Sequence, residues 1–107
     1  MIHHSHDHCP IARAADLVGD TWTLLIVRDL THGSRRFSEL EESLAGISPK
    51  TLSQRLKMLE AAHLISRHAF AEIPPRVEYA LTEKGEALLP IIEAIKTFGE
   101  QHLPVAE

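Results

Sequence analysis

Two adjacent prolines, Pro74-Pro75, impose the hardest local constraint on this chain. A proline has no N–H and a fixed φ, so two in a row cannot donate to a β-ladder. On either side of Ala71-Glu72-Ile73-Pro74-Pro75 lie stretches of strand character, residues 64–70 and Arg76–Leu81. In the second, Val77, Tyr79 and Leu81 alternate with Arg76, Glu78 and Ala80, the two-residue period of a strand. The spacing therefore predicts a hairpin with the prolines at its tip.

Helical periods surround the hairpin. Cys9-Pro10 opens a first helix, since proline suits the first helical position. Ile11, Ala14, Ala15 and Val18 form its apolar face and Gly19 closes it. Asp20 is placed to N-cap a second helix reaching to about Thr31. Trp22, Leu24, Leu25, Ile26, Val27 and Leu30 make this helix apolar almost all round, which predicts the central core helix. His32-Gly33-Ser34 is a turn, after which Ser38 and Glu41 have the spacing of a capping box. Phe37, Leu40 and Leu44 supply the core contacts of that short third helix. Ala45-Gly46-Ile47 is a second turn, and Ser48-Pro49 starts a fourth helix running to about His63. Beyond the hairpin, Thr82 caps a last helical stretch, in which Pro90 forces a kink or a new start. Four helices, two strands and a terminal helix predict a mainly α fold with a small β-hairpin, a winged helix-turn-helix.

The chain of 107 residues fits one domain, residues 9–107, behind a flexible His-rich tail, residues 1–8. With 44% hydrophobic and 24% charged residues it has a globular balance. Cys9 stands alone, so no intrachain disulfide can form. No apolar run is long enough to span a bilayer, and the polar tail is neither a signal nor a transit peptide, so a cytoplasmic location is expected. There is no carboxylate pair, nucleophile–histidine set or phosphate-binding glycine loop. His32, His63, His68 and His102 are scattered, so no enzyme and no cofactor is expected.

A net charge of −4 at first argues against nucleic acid, but DNA responds to local charge. Between residues 47 and 76, Lys50, Arg55, Lys57, Arg67 and Arg76 face only Glu60 and Glu72, a net of +3. Residues 83–107 hold two basic and five acidic groups, a net of −3. On the fourth helix, steps of about 100° place Leu52, Leu56, Leu59 and His63 on one side. Lys50, Ser53, Gln54 and Lys57 lie opposite, flanked by Thr51 and Met58, with Arg55 at the boundary. Gln can pair with adenine, Lys with guanine or phosphate, and Ser or Thr with several partners. The helix start at Ser48 can receive a phosphate. Arg76, held out by the rigid tip, is a candidate for the minor groove or backbone. Arg35 and Arg36 can reach phosphates or pair with Glu39 or Asp29. A solvated amphipathic helix explains the polar face equally well when that helix is taken alone.

Several runs together resemble the HxlR-type regulators, relatives of the MarR repressors. They are Cys9-Pro10-Ile11, Trp22-Thr23-Leu24-Leu25-Ile26, Arg36-Phe37-Ser38-Glu39-Leu40, Ile47-Ser48-Pro49-Lys50-Thr51-Leu52-Ser53-Gln54-Arg55-Leu56, Pro74-Pro75-Arg76-Val77-Glu78-Tyr79 and Leu81-Thr82-x-x-Gly85. The resemblance covers nearly the whole chain. It implies a homodimer, joined through N- and C-terminal helices, that binds palindromic double-stranded operator DNA, with repression the expected sign. The apolar stripe Leu88, Ile91, Ile92, Ile95 and Phe98 suits such an interface, although packing on its own core also accounts for part of it. Two positions depart from the family pattern. Thr21 stands where a basic residue is usual, and His63 where glycine usually ends the recognition helix.

Cys9, at the start of the first helix, sits where the positive helix end favours a reactive thiolate. The resemblance implies a sensor of oxidants or electrophiles at this position; a half-buried structural cysteine is the alternative. His3, His4, His6, His8 and Cys9 are weak candidates for a metal-responsive site, against a plain polar tail. A winged-helix module that binds protein instead of DNA is the remaining alternative.

Overall fold

A computed structural model of the chain describes residues 8–106. Its elements are α1 (Pro10–Val18), α2 (Thr21–Leu30), β1 (Arg35–Arg36), α3 (Phe37–Ser43), α4 (Pro49–Ala61), β2 (Ile65–Phe70), β3 (Arg76–Leu81), α5 (Glu83–Glu86) and α6 (Leu89–His102).

The core gathers around α2, which buries Thr23, Ile26, Val27 and Leu30 and touches α3, α4, α6 and β3. Against it pack Leu40 of α3, Leu44, the leucines Leu52, Leu56 and Leu59 of α4, and Leu64 and Ile65 at the hairpin base. Each leucine so buried contributes on the order of 1.5–3 kcal/mol. His63, expected on the same side as these leucines, is instead exposed.

The two expected strands do pair as an antiparallel hairpin, with Ile65 opposite Leu81 and Phe70 opposite Arg76. The sheet, however, has three strands in the order β1-β3-β2. Arg35 and Arg36 pair with Tyr79 and Glu78 as an added edge. Two residues carry no period, so only the fold reveals this strand.

The third helix begins earlier than the Ser38–Glu41 spacing suggests. Its N-cap is Arg36, whose N–H donates to Glu39 Oε1 at 2.8 Å. Pairing of Arg36 with Tyr79's strand sets the start of α3, which leaves Ser38 inside the first turn.

α4 ends at Ala61, two residues short of His63. The Leu64 N–H reaches the Leu59 carbonyl at 2.9 Å and the His63 N–H reaches Glu60 at 3.0 Å, a Schellman closure. His63 takes the left-handed position with φ +62°. The carbonyls left over are met by the next segment. Thr82 Oγ1 donates to the His63 carbonyl at 2.6 Å and Lys84 Nζ to that of Ala62 at 2.9 Å. Gly85 closes this junction, because a Cβ there would lie 2.1 Å from the Leu64 carbonyl oxygen.

Pro90 starts a new helix and does not kink an old one: α5 is a single turn capped by Thr82, and α6 follows with Pro90 in its first turn. α1 departs more from expectation. Of Ile11, Ala14, Ala15 and Val18 only Val18 is buried, and Ile11 is 80% exposed. The apolar face of α1 therefore lies outside the core of its own chain.

Candidate nucleic-acid interface

α3, the turn after it and α4 form a helix-turn-helix, with the hairpin β2–β3 as the wing. Burial of Leu52, Leu56 and Leu59 rotates the opposite side of α4 into solvent. Lys50, Gln54 and Lys57 are exposed there, and neither lysine has an acidic partner among the described residues. Ser53 and Thr51 lie half-buried at the edges of that face, and Met58 packs against the core.

Ser48 and Thr51 organise the helix start. Ser48 Oγ accepts from the Thr51 N–H at 3.0 Å and donates to Thr51 Oγ1 at 3.0 Å. Pro49 has no N–H, so the cap covers the first turn while the Lys50 side chain stays free to reach outward.

Two arginines nominated for DNA are held by carboxylates. Arg55 Nε lies 3.0 Å from Asp20 Oδ2, and Arg55 Nη2 lies 3.5 Å from Asp20 Oδ1. Asp20 Oδ2 is also the N-cap of α2, accepting from the Thr23 N–H at 3.0 Å and from the Thr23 hydroxyl. Partial burial pushes the Asp20 carboxyl upward. The Thr23 hydroxyl, the Arg55 guanidinium and the Thr23 amide outweigh that and hold it below the ordinary carboxylate value.

On the wing, Arg76 Nη2 lies 2.9 Å from Glu72 Oε2, and its Nε lies 3.7 Å from Glu78 Oε2. Its guanidinium stacks 3.9 Å from the Phe70 ring centroid, whose edge meets His68. The tip thus lays Arg76 along the sheet and does not extend it. Glu78 also accepts from Ser34 Oγ at 3.0 Å. Arg36 keeps an exposed guanidinium beside α3, while the Asp29 carboxylate is taken by its neighbour Arg28 at 2.8 Å.

Cys9 is the exposed N-cap of α1, and its sulfur makes no capping hydrogen bond. His3, His4 and His6 lie outside the described residues. At the other end of the chain, Ile91, Ile95 and Phe98 are 41%, 48% and 58% exposed and line a shallow apolar groove with Pro90 and Ala94. Leu88 belongs to the opposite side of this stripe, since it packs on the core, and Ile92 is half-buried.

This arrangement of elements has a counterpart among known proteins. The family model for the HxlR-like helix-turn-helix matches residues 17–107. The chain belongs to the HxlR-like helix-turn-helix family. An HTH-type transcriptional regulator of Synechocystis, sll1512, is 42% identical over 95 residues, covering 89% of this chain and 70% of that protein. The redox regulator HypR in its oxidized form superposes with a TM-score of 0.86 at 33% identity, over 91% of this chain and 100% of that one. The reduced form of the transcriptional regulator YodB from B. subtilis superposes with a TM-score of 0.78 at 36% identity, over 92% and 98%. This HxlR-like chain is thus a transcriptional regulator of winged-helix architecture. Among the described residues no helix is long and apolar enough to cross a membrane.

What the sequence alone missed in this HxlR-like interface is the set of counter-charges. The Asp20–Arg55 pair spans 35 positions, and no local period relates them. Glu78 was legible as sharing a strand face with Arg76 through the two-residue alternation, but the turn that brings Glu72 back to Arg76 was not.

Proposed function

We propose that the protein binds operator DNA sequence-specifically as a homodimer and represses transcription from it, with α4 as the recognition helix. One observation carries this reading: Lys50, Gln54 and Lys57 stand together in solvent on a helix fixed from behind by three buried leucines. A rigid helix of this kind can lie in the major groove, with Gln54 reading a base edge and the lysines meeting guanine or phosphate. The exposed apolar sides of α1 and α6 suit pairing of two copies, which would set two recognition helices on the half-sites of a palindrome.

Cys9 supplies the signal in this reading. Its exposure, its place at the helix start and the resemblance to regulators crystallised in oxidized and reduced forms support the assignment. An oxidant takes two electrons and two protons from the Cys9 thiols of two copies, leaving one disulfide. A quinone-type electrophile is instead attacked by the thiolate and leaves an adduct. The experiment is a fluorescence-anisotropy titration of the reduced protein onto DNA from upstream of its own gene, against scrambled DNA. Tight, preferential binding that changes on treatment with diamide supports both parts. Preferential binding untouched by verified oxidation of Cys9 removes the sensing role, and salt-independent, non-preferential binding favours a protein-binding module.

A further inference from the structure

Recognition of a base edge requires the helix to sit within about 0.5 Å of its working position. The buried leucines of α4 set which side of the helix faces α2, but apolar contact is non-directional, so the finer aim of the outer face depends on polar ties as well. Between these helices the described residues make one polar tie, the Arg55–Asp20 pair. Arg55 lies one residue after Gln54 and two before Lys57, in the middle of α4. Asp20 is itself fixed, because the same carboxylate caps α2 through Thr23, whose side chain is fully buried. Only Gly19 separates this cap from the end of α1.

We infer that Asp20 is a positioning residue for DNA binding: its carboxylate anchors Arg55 and so sets the recognition helix, and Arg55 works inside the protein instead of on a DNA phosphate. The geometry is a fork of two nitrogens on one carboxylate, which constrains orientation as well as distance. Asp20 is joined to the end of α1 through Gly19 and to α4 through the Arg55 ion pair, so it stands between the two helices. A change at Cys9 that turns α1 moves the Asp20 backbone, and with it the point to which α4 is tied. This inference rests on the DNA-binding reading and adds the residue that aims the helix.

The test is Asp20→Asn. Asparagine caps a helix about as well as aspartate, so α2 keeps its start while Arg55 loses its counter-charge. Two readouts are taken on the full chain. The first is amide hydrogen exchange without DNA: faster exchange along α4, on the order of tenfold, with Thr23 still protected, is the expected result. The second is anisotropy with a duplex enriched from a randomised pool by the wild-type protein, and with its scrambled form. The specific-to-scrambled affinity ratio should fall on the order of tenfold with the salt slope unchanged. In the double variant Asp20→Asn/Arg55→Gln the loss should be no greater than in either single variant.

Tighter binding by Asp20→Asn with a slope steeper by about 0.9 would make Arg55 a restrained phosphate contact and overturn the inference. Unchanged exchange and unchanged ratio would overturn it as well, as would additive losses in the double variant. A wild-type protein that enriches no duplex fails the DNA-binding reading itself. The exchange result then decides the anchor independently.

Discussion

His63 holds φ +62° at the C′ position of α4, a conformation that costs a residue with a Cβ roughly 1–2 kcal/mol. Its side chain is exposed, and what the fold uses is its carbonyl, which accepts from Thr82. His63→Gly keeps that carbonyl and removes the strain, so stability should rise by about 1 kcal/mol, read from urea midpoints at fixed protein concentration. Gly85 is the opposite case. Its missing Cβ is what lets β3 and α5 close over the Leu64 carbonyl, so Gly85→Ala should cost on the order of 1–3 kcal/mol in the same assay. Asp20 adds a dependence on pH. Its carboxyl titrates below the ordinary value of 3.8, so its contribution is complete above that value and is lost as pH falls through the lower folded-state value. The stability difference between wild type and Asp20→Asn should therefore be full at about pH 6 and shrink as pH falls below 3.8. Because the pair is partly exposed, that difference should stay within about 1 kcal/mol.

Among the elements, α4 and the wing differ in how their charges are presented. α4 offers Lys50, Gln54 and Lys57 free of carboxylates, whereas the wing arginine is neutralised by Glu72 and Glu78 and stacked on Phe70. Gln54→Ala should cost about 1–3 kcal/mol of specific DNA affinity and relax base preference, measured by anisotropy on matched and substituted duplexes. Glu72→Gln should tighten binding and steepen the salt dependence, since it frees Arg76 and removes a negative charge beside the duplex. The buried leucine face and polar outer face of α4 were legible from the helical period. The position of Arg55 was not, because a residue at the edge of two faces goes wherever a tertiary partner stands. The start of α3 was misread for a related reason. Ser38–Glu41 and Arg36–Glu39 are both plausible spacings, and strand pairing of Arg36 decides between them.

For the molecule as a whole, two helices project apolar faces that its own core leaves open. Ile11 on α1 and Ile91, Ile95 and Phe98 on α6 are exposed, and the radius of gyration is 15.2 Å, against about 13 Å for a compact domain of 100 residues. Exposed apolar groups arranged on outlying helices suit burial against a second copy. If two copies pair as proposed, Phe98→Asp should shift the sedimenting species to a monomer at micromolar concentration while leaving the far-ultraviolet circular dichroism unchanged, because Phe98 is 58% exposed and lies outside the core cluster. The same variant should lose cooperative binding to a palindrome while each half-site is still recognised weakly.

The local rules in the sequence determined the four leading helices, the two hairpin strands, the caps at Asp20, Ser48 and Thr82, and the outward face of α4. Each of these depends on residues a few positions apart, where side-chain period, the missing N–H of proline and short capping hydrogen bonds dominate. Tertiary structure alone decided the third strand, the start of α3, the exposure of α1, and the carboxylates that hold Arg55 and Arg76. Those features join residues far apart in the chain, and their energy appears only when folding brings opposite charges, or unpaired backbone groups, within hydrogen-bond reach.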